Sequence, residues 1–188
     1  WRESYNLYAV QGWLFNHEGT RRGEEFVTRK ITKNVARIQK EYASGDFKPL
    51  ELGNIDALRD WSDAEDFIHS VWLMLNQESP KDYVIGSGES HSIREFIEIC
   101  VAAAGLEGYW SGSGLEEKYI VANHLLEENN LKSSILIDIN PKFYRPAEVE
   151  SLQGDCSLAE KELGWNRKTD FKGLVEKMYQ NDYRLLSE

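Results

Sequence analysis

Cysteine, proline, positive charge and long apolar runs are all scarce in this sequence, and each shortage removes a class of protein. Two cysteines in 188 residues, Cys100 and Cys156, cannot make a disulfide framework, and no Cys/His spacing resembles a zinc site. A reducing, cytoplasmic compartment is the default expectation. Four prolines and 14 glycines exclude a collagen-like or low-complexity chain. No run approaches the roughly 18 apolar residues of a membrane span, and the opening residues do not read as a signal peptide. Lys and Arg number 22 against 32 Asp and Glu, a net charge of −10. A general nucleic-acid or anionic-membrane binder needs the opposite excess. What the chain has in quantity is apolar and aromatic side chain, 41% and 12%, which is enough for a packed core. Its length suits one domain, or one domain and part of another.

Periodicity gives an alternation of strands and helices. Residues 1–6 read as the last turn of a helix, opening on Trp1 without a Met, as though in the middle of an element. The run YAVQGWLF at 8–15 is predicted to be a strand buried on both faces, followed by a polar loop at 16–23. Val27, Ile31, Val35, Ile38 and Tyr42 recur every three or four positions, predicting a helix that stops at Gly45. A short strand at 50–52 precedes a turn-rich stretch at 53–61. Ser62 with Glu65, and Ser92 with Glu95, have capping-box spacing for helices at 64–75 and 93–104. Strands are predicted at 83–85 and 135–137, with a weak signal at 119–121. Pro146 makes 143–150 an extended loop. Ser157 with Glu160 opens a helix ending at Gly164, and Asp170 caps the last one. The fold class is α/β, and the lack of any repeat of 20–50 residues excludes a solenoid.

Candidate chemistry gathers where strands end, because ligands of open α/β sheets bind beyond the carboxyl ends of strands. Asn16, His17, Glu18, Arg21 and Arg22 occupy one such end; a solvated loop that caps a helix is the plainer account of them. Seven of the basic residues fall within 21–40, where Glu24 and Glu25 are the acids. Such a local excess in an acidic chain suits a phosphorylated ligand. Lys33, Arg37 and Lys40 read as an exposed helix face, whereas Arg29 and Lys30, near the helix start, are better placed for phosphate. Arg59, with Asp60 or Ser62 able to cap the next helix, and Arg145, beside Pro146 and Glu148, stand on irregular segments. They suit either salt bridges or a diphosphate grip. The sequence contains no dinucleotide fingerprint, P-loop, nucleophile elbow or Tyr-x-x-x-Lys pair. Gly86-Ser87-Gly88 reads as a turn, and His69 as a packing residue.

Five segments, in order, resemble one family: RESYNL at 2–7, LFNHEGTRRGEEFVTRKIT at 14–32, LGNIDALRDWSDAEDFIHSVWLML at 52–75, YVIGSGESHSIREF at 83–96 and YRPAEVESLQGDCSLAEKELGW at 144–165. The family is GDP-mannose 4,6-dehydratase, within the extended short-chain dehydrogenases/reductases. The resemblance implies a Rossmann domain for NADP and a smaller α/β substrate-binding domain. It implies conversion of GDP-mannose to GDP-4-keto-6-deoxymannose and water, the first step toward GDP-fucose. It places His17 and Arg22 at NADP. It places Asn16, Val27, Lys30, Leu52, Gly53, Arg59, Arg145 and Glu148 around the GDP-sugar. It also implies a homo-oligomer, dimer or tetramer, whose arginine loop at 19–23 reaches across a subunit interface. No nucleic-acid or membrane partner is expected.

The chain departs from the pattern in places. Gly19-Thr20 replaces Ser-Pro before the arginines, Phe143 replaces Tyr, and 118–134 is longer than usual. The family's glycine-rich turn, its Tyr-x-x-x-Lys pair and its Thr/Glu catalytic residues lie upstream of the segment matched by Trp1. The expectation is therefore a carboxyl-terminal part of the fold: the last Rossmann strands plus the substrate-binding domain. Residues 1–50 would be a remnant of the NADP-binding domain with the arginine loop and first substrate-lobe helix. Residues 51–188 would be mainly the substrate domain, with strand 83–85 and its flanking helix returning to the Rossmann sheet. The alternatives are a stand-alone nucleotide-sugar binding or assembly module, and a sister nucleotide-sugar dehydratase or epimerase.

Overall fold

Strands and helices alternate along the chain in a computed structural model, which describes residues 1–42, 46–122, 134–144, 149 and 151–188. The order begins α1 (Arg2–Tyr5), β1 (Gly12–Leu14), β2 (Asn16–Glu18), α2 (Val27–Tyr42) and β3 (Leu50–Leu52). Next come β4 (Leu58–Arg59), β5 (Trp61–Asp63), α3 (Ala64–Leu75), β6 (Tyr83–Ile85), β7 (His91–Ser92) and α4 (Ile93–Ala103). The remainder is β8 (Gly108–Ser111), β9 (Lys118–Val121), β10 (Ile135–Ile139), α5 (Ser157–Leu163) and α6 (Phe171–Leu185). The α/β class holds. No helix among the described residues is long and apolar enough to cross a membrane.

The chain divides into two units, each drawn from separate stretches. The first is Trp1–Arg21, Leu58–His91 and Glu150–Leu174. Within it β1 pairs parallel with β6, and β2 pairs parallel with β5. Its core is Phe67 and Met74 of α3, Tyr83 and Ile85 of β6, and Cys156, Ala159, Leu163 and Trp165. Phe67 meets the Trp165 ring edge-on, centroids 6.2 Å apart, and the indole Nε1–H donates to the Asp66 carbonyl. Burying side chains of this size contributes about 1.5–3 kcal/mol each. Arg2 of α1 grips Asp82 with both terminal nitrogens at 2.9 Å.

The second unit is Arg22–Ala57, Ser92–Val149 and Val175–Glu188. Its four-stranded sheet runs β3-β10-β9-β8, parallel between β3 and β10 and antiparallel beyond. Helix α2 buries Ile31, Val35, Ala36 and Ile38, the apolar stripe that periodicity predicts. Helix α4 buries Phe96, Ile97, Cys100 and Val101. Its start is as expected, the Ser92 hydroxyl accepting the Glu95 N–H at 3.0 Å.

Several expectations need correction. The run at 8–15 is not a strand buried on both faces. It extends only over Gly12–Leu14, and Trp13 is 61% exposed. Residues 16–18 form β2 rather than a loop, and the turn-rich stretch at 53–61 contains β4 and the start of β5. Ser62 does not cap α3, because it is held in β5 opposite His17. The cap is Asp63, whose side chain accepts the Glu65 N–H at 2.9 Å. Ser157 likewise does not cap α5: it is the first helical residue, and its own N–H donates to Asp155. Asp170 does cap α6, accepting the Gly173 N–H at 2.7 Å. His69 is exposed and stacks on Trp72 rather than packing inward. Gly45 and residues 145–148 and 150 of the Pro146 loop lie outside the described residues, and Phe143 ends a short 3-10 turn, Pro141–Phe143.

Candidate functional site

The first unit carries Asn16, His17 and Arg59. Asn16 and His17 sit on β2, opposite Trp61 and Ser62 of β5. His17 is half-buried and stacks on Phe67, centroids 5.2 Å apart. Its Nδ1 lies 2.9 Å from the Phe15 carbonyl. A carbonyl cannot donate, so this contact puts a proton on Nδ1 and leaves Nε2 as the ring nitrogen available to other partners. Arg59, on β4, is half-buried and donates from Nη1 to the Leu58 carbonyl at 2.7 Å.

Beside Arg59 stands a residue whose role the sequence conceals. Asp60 is fully buried. Its carboxylate accepts three main-chain N–H groups: Ser87 at 2.7 Å, Gly88 at 3.1 Å and Gly154 at 2.9 Å. The Gly86-Ser87-Gly88 segment is therefore a turn tied to a carboxylate. A Cβ on Gly86 would stand 2.8 Å from Asp60 Oδ2, so this approach requires glycine. Nearby, Ser87, Gly88, Gln153, Cys156 and Glu160 line an open cavity of about 480 Å³. Burial and the Glu160 carboxylate, 3.4 Å away, push the Cys156 thiol up to about 11, so at neutral pH it stays protonated and unreactive.

The second unit carries Arg22, Val27, Lys30, Leu52 and Gly53. The Arg22 guanidinium lies 3.5 Å above the centre of the Phe26 ring. Val27 is the first residue of α2, and Lys30 follows one turn on. The Lys30 ammonium donates to the Glu51 carbonyl at 2.7 Å and sits 4.1 Å from the centre of the Phe143 ring. Burial pushes its pKa down, opposed by the charge of Glu51. Leu52 is buried at the end of β3, its carbonyl accepting the Asn140 N–H. A Cβ on Gly53 would stand 2.2 Å from the Phe143 carbonyl oxygen, so the β3 end and the Phe143 turn touch only because 53 is glycine. Lys30, Glu51 and Phe143 thus meet at an open cleft of about 520 Å³, to which Asn34, Lys48 and Asp138 also contribute.

The remaining basic residues sort cleanly. Arg29 is not a phosphate candidate: it is buried and paired with Asp182 at 2.7 Å. Lys33 pairs with Glu24 and Arg37 with Glu41, as an exposed helix face would. Arg145 and Glu148 lie outside the described residues.

A family model described as GDP-mannose 4,6 dehydratase matches residues 1–178. The chain belongs to the GDP-mannose 4,6-dehydratase family. It is 46% identical over 189 residues to the Drosophila melanogaster GDP-mannose 4,6 dehydratase, covering 99% of this chain and 44% of the relative. It is 45% identical to a Vibrio cholerae GDP-mannose 4,6-dehydratase, covering 97% and 48%. To the Homo sapiens GDP-mannose 4,6 dehydratase it is 41% identical, covering 98% and 46%. The chain thus spans about half the length of the curated relatives it matches. In three dimensions it resembles RMD from Pseudomonas aeruginosa complexed with NADPH, with a TM-score of 0.74 and 19% identity over 98% of this chain and 52% of that one. It also resembles dTDP-glucose 4,6-dehydratase from Bacillus anthracis in complex with NAD, with a TM-score of 0.68 and 14% identity over 97% and 47%. At these identities the likeness establishes the fold, that of extended short-chain dehydrogenases/reductases, of which this family member covers about half.

Proposed function

We propose that this chain supplies the GDP-sugar-binding part of a GDP-mannose 4,6-dehydratase, an NADP-dependent lyase that forms GDP-4-keto-6-deoxymannose and water. The observation that carries the reading is the Lys30 cleft. A lysine ammonium has three donors. One is spent on the Glu51 carbonyl, which holds the head at the cleft and leaves two N–H groups for phosphate oxygens. The Phe143 ring is 47% exposed beside it, a flat apolar surface suited to a base or ribose. On the family resemblance, Val27, Leu52 and Gly53 of the same unit are further contacts of the GDP-sugar. Asn16, Arg59, Arg145 and Glu148 are assigned to the same ligand, the two arginines to its diphosphate and Glu148 to ribose hydroxyls.

For the cofactor, the donor set fits in part. The Arg22 guanidinium suits a phosphate, and His17 Nε2, the ring nitrogen not turned to the Phe15 carbonyl, suits a polar group of the nucleotide. NADP, when bound, would supply hydride-transfer chemistry to the sugar. The chain's own residues bind and orient, and its Tyr and Lys residues do not form the family's proton-transfer pair. The surroundings of β1 support a partition of this kind. Parallel strands are covered on both faces in native sheets, yet Trp13 of β1 is largely exposed and β1 and β6 have no third strand among the described residues. The arginine loop is the oligomer contact, and the two buried free cysteines suit a cytoplasmic location.

Calorimetry on the complete enzyme tests the substrate. GDP-mannose is expected to bind more tightly than UDP- or dTDP-sugars, and Lys30→Met to weaken it about tenfold, the worth of one charged hydrogen bond. Tighter binding of a UDP or dTDP sugar would overturn the reading. The 188 residues alone, with NADP added, are expected to show no dehydration, and turnover would refute the partition.

A further inference from the structure

The family match stops at residue 178. Four residues later, in the second unit, α6 carries a buried acid. Asp182 is 2% exposed. Its Oδ2 accepts the Thr32 hydroxyl at 2.6 Å, and its Oδ1 stands 2.7 Å from Arg29 Nε. Arg29 is itself 9% exposed, and its Nη1 donates to the main-chain carbonyl of Arg22 at 2.9 Å. A continuous line of polar contacts therefore runs from Thr32 through Asp182 and Arg29 to the backbone of the arginine loop.

Helix packing alone does not account for this arrangement. Burying an ion pair has a desolvation cost that often cancels its attraction, and apolar side chains of similar size commonly hold two helices at least as well. An apolar pair cannot grip a carbonyl outside the helices. The guanidinium is rigid and planar, so the ion pair that holds its Nε edge 2.7 Å from Asp182, by charge rather than by an aligned hydrogen bond, restricts the direction in which Nη1 points. That direction is the Arg22 carbonyl. The side chain of the same residue lies flat on Phe26, so its main chain and its side chain are both held.

We propose that Asp182 is a positioning residue for the arginine loop: through Arg29 it fixes the Arg22 carbonyl, and with it the presentation of the Arg22 guanidinium to the nicotinamide dinucleotide. This rests on the reading of Arg22 as a cofactor contact. Asp182 does not itself touch the ligand.

A double-mutant cycle on the complete, cofactor-stripped enzyme tests it, with NADPH affinity read by nucleotide fluorescence and GDP-mannose affinity by calorimetry. Asp182→Asn is expected to weaken NADPH about tenfold, with GDP-mannose within about twofold of wild type. In an Arg22→Ala background the same substitution is expected to change NADPH affinity less than about twofold, because the group being positioned is gone. Arg29→Lys keeps the charge opposite Asp182 but lacks the fork, and is expected to behave as Asp182→Asn does. If Asp182→Asn does not fold, Thr32→Val removes one contact to the carboxylate while keeping the ion pair, and is expected to weaken NADPH by about threefold. Equal losses with and without Arg22 would overturn the proposal, as would parallel losses of NADPH and GDP-mannose. If Arg22→Ala weakens NADPH and the Asp182, Arg29 and Thr32 variants do not, the proposal fails while the cofactor reading stands. If Arg22→Ala leaves NADPH unchanged, the cofactor reading fails and takes the proposal with it.

Discussion

A carboxylate with no solvent exposure is tolerable only when its lone pairs are filled, and Asp60 fills them with the amides of Ser87, Gly88 and Gly154. The three donors depend on it equally. Asp60→Ala would leave each N–H without this acceptor, at roughly 1–3 kcal/mol apiece. The expected loss of stability therefore exceeds about 3 kcal/mol, measured by urea unfolding of the complete enzyme. A loss below about 1 kcal/mol, typical of an average substitution, would refute the anchor role. Nothing in the local sequence reveals it. Asp60 sits just before a helix, where an acid reads as a cap, and its partners are 27, 28 and 94 positions away. The place of Lys30 in the first turn of α2 was legible because a helix start is a property of neighbours in sequence. Arg29, one position earlier, was misjudged because a charged residue on the buried face of α2 becomes intelligible only with Asp182, from a distant helix, in place.

At the scale of elements, what was legible follows the same division. Helices α2 and α4 are as expected because their stripes and the Ser92 cap are written within a few residues. The cap of α3 moved from Ser62 to Asp63 because β5 pairs with β2, an event outside the helix. Strand β1 was misread because apolar composition records what a strand could bury, not what covers it. The short helix α1 is tied down by Arg2, which forks onto Asp82 and also donates to the Ala9 carbonyl. Hydrogen bonds from Arg2 and from the Gln11 amide hold the Asp82 carboxyl below the ordinary aspartate range. The folded value is depressed, so the contribution is complete above the unfolded pKa of about 3.9 and is lost as pH falls through the lower folded one. Wild type is thus expected to be more stable than Asp82→Asn at pH 7, the gap closing under acid. A gap that persisted at pH 2, measured by thermal unfolding, would contradict the linkage.

The whole molecule shows apolar side chains that its described residues leave uncovered. Trp13, Ile68, Trp72 and Leu75 of the first unit are all more than half exposed. On α3 the last three recur at helical spacing, opposite the buried Phe67 and Met74. Faces of this kind mark contact surfaces. If the proposed partition is right, the 188 residues alone are expected to bind a hydrophobic dye and self-associate, and co-expression with the remaining half of the enzyme to abolish both. A monodisperse, dye-silent chain would count against it. The division into units has a further consequence for how the protein is made. Each unit draws on all parts of the chain, the first closing only with Glu150–Leu174 and the second only with Val175–Glu188. A ribosome adds roughly 5–20 residues per second, so residues 1–91 wait for seconds before residues 150–188, which both units need, have been made. A lesion confined to 150–188 therefore reaches both units at once, even where it spares every ligand contact.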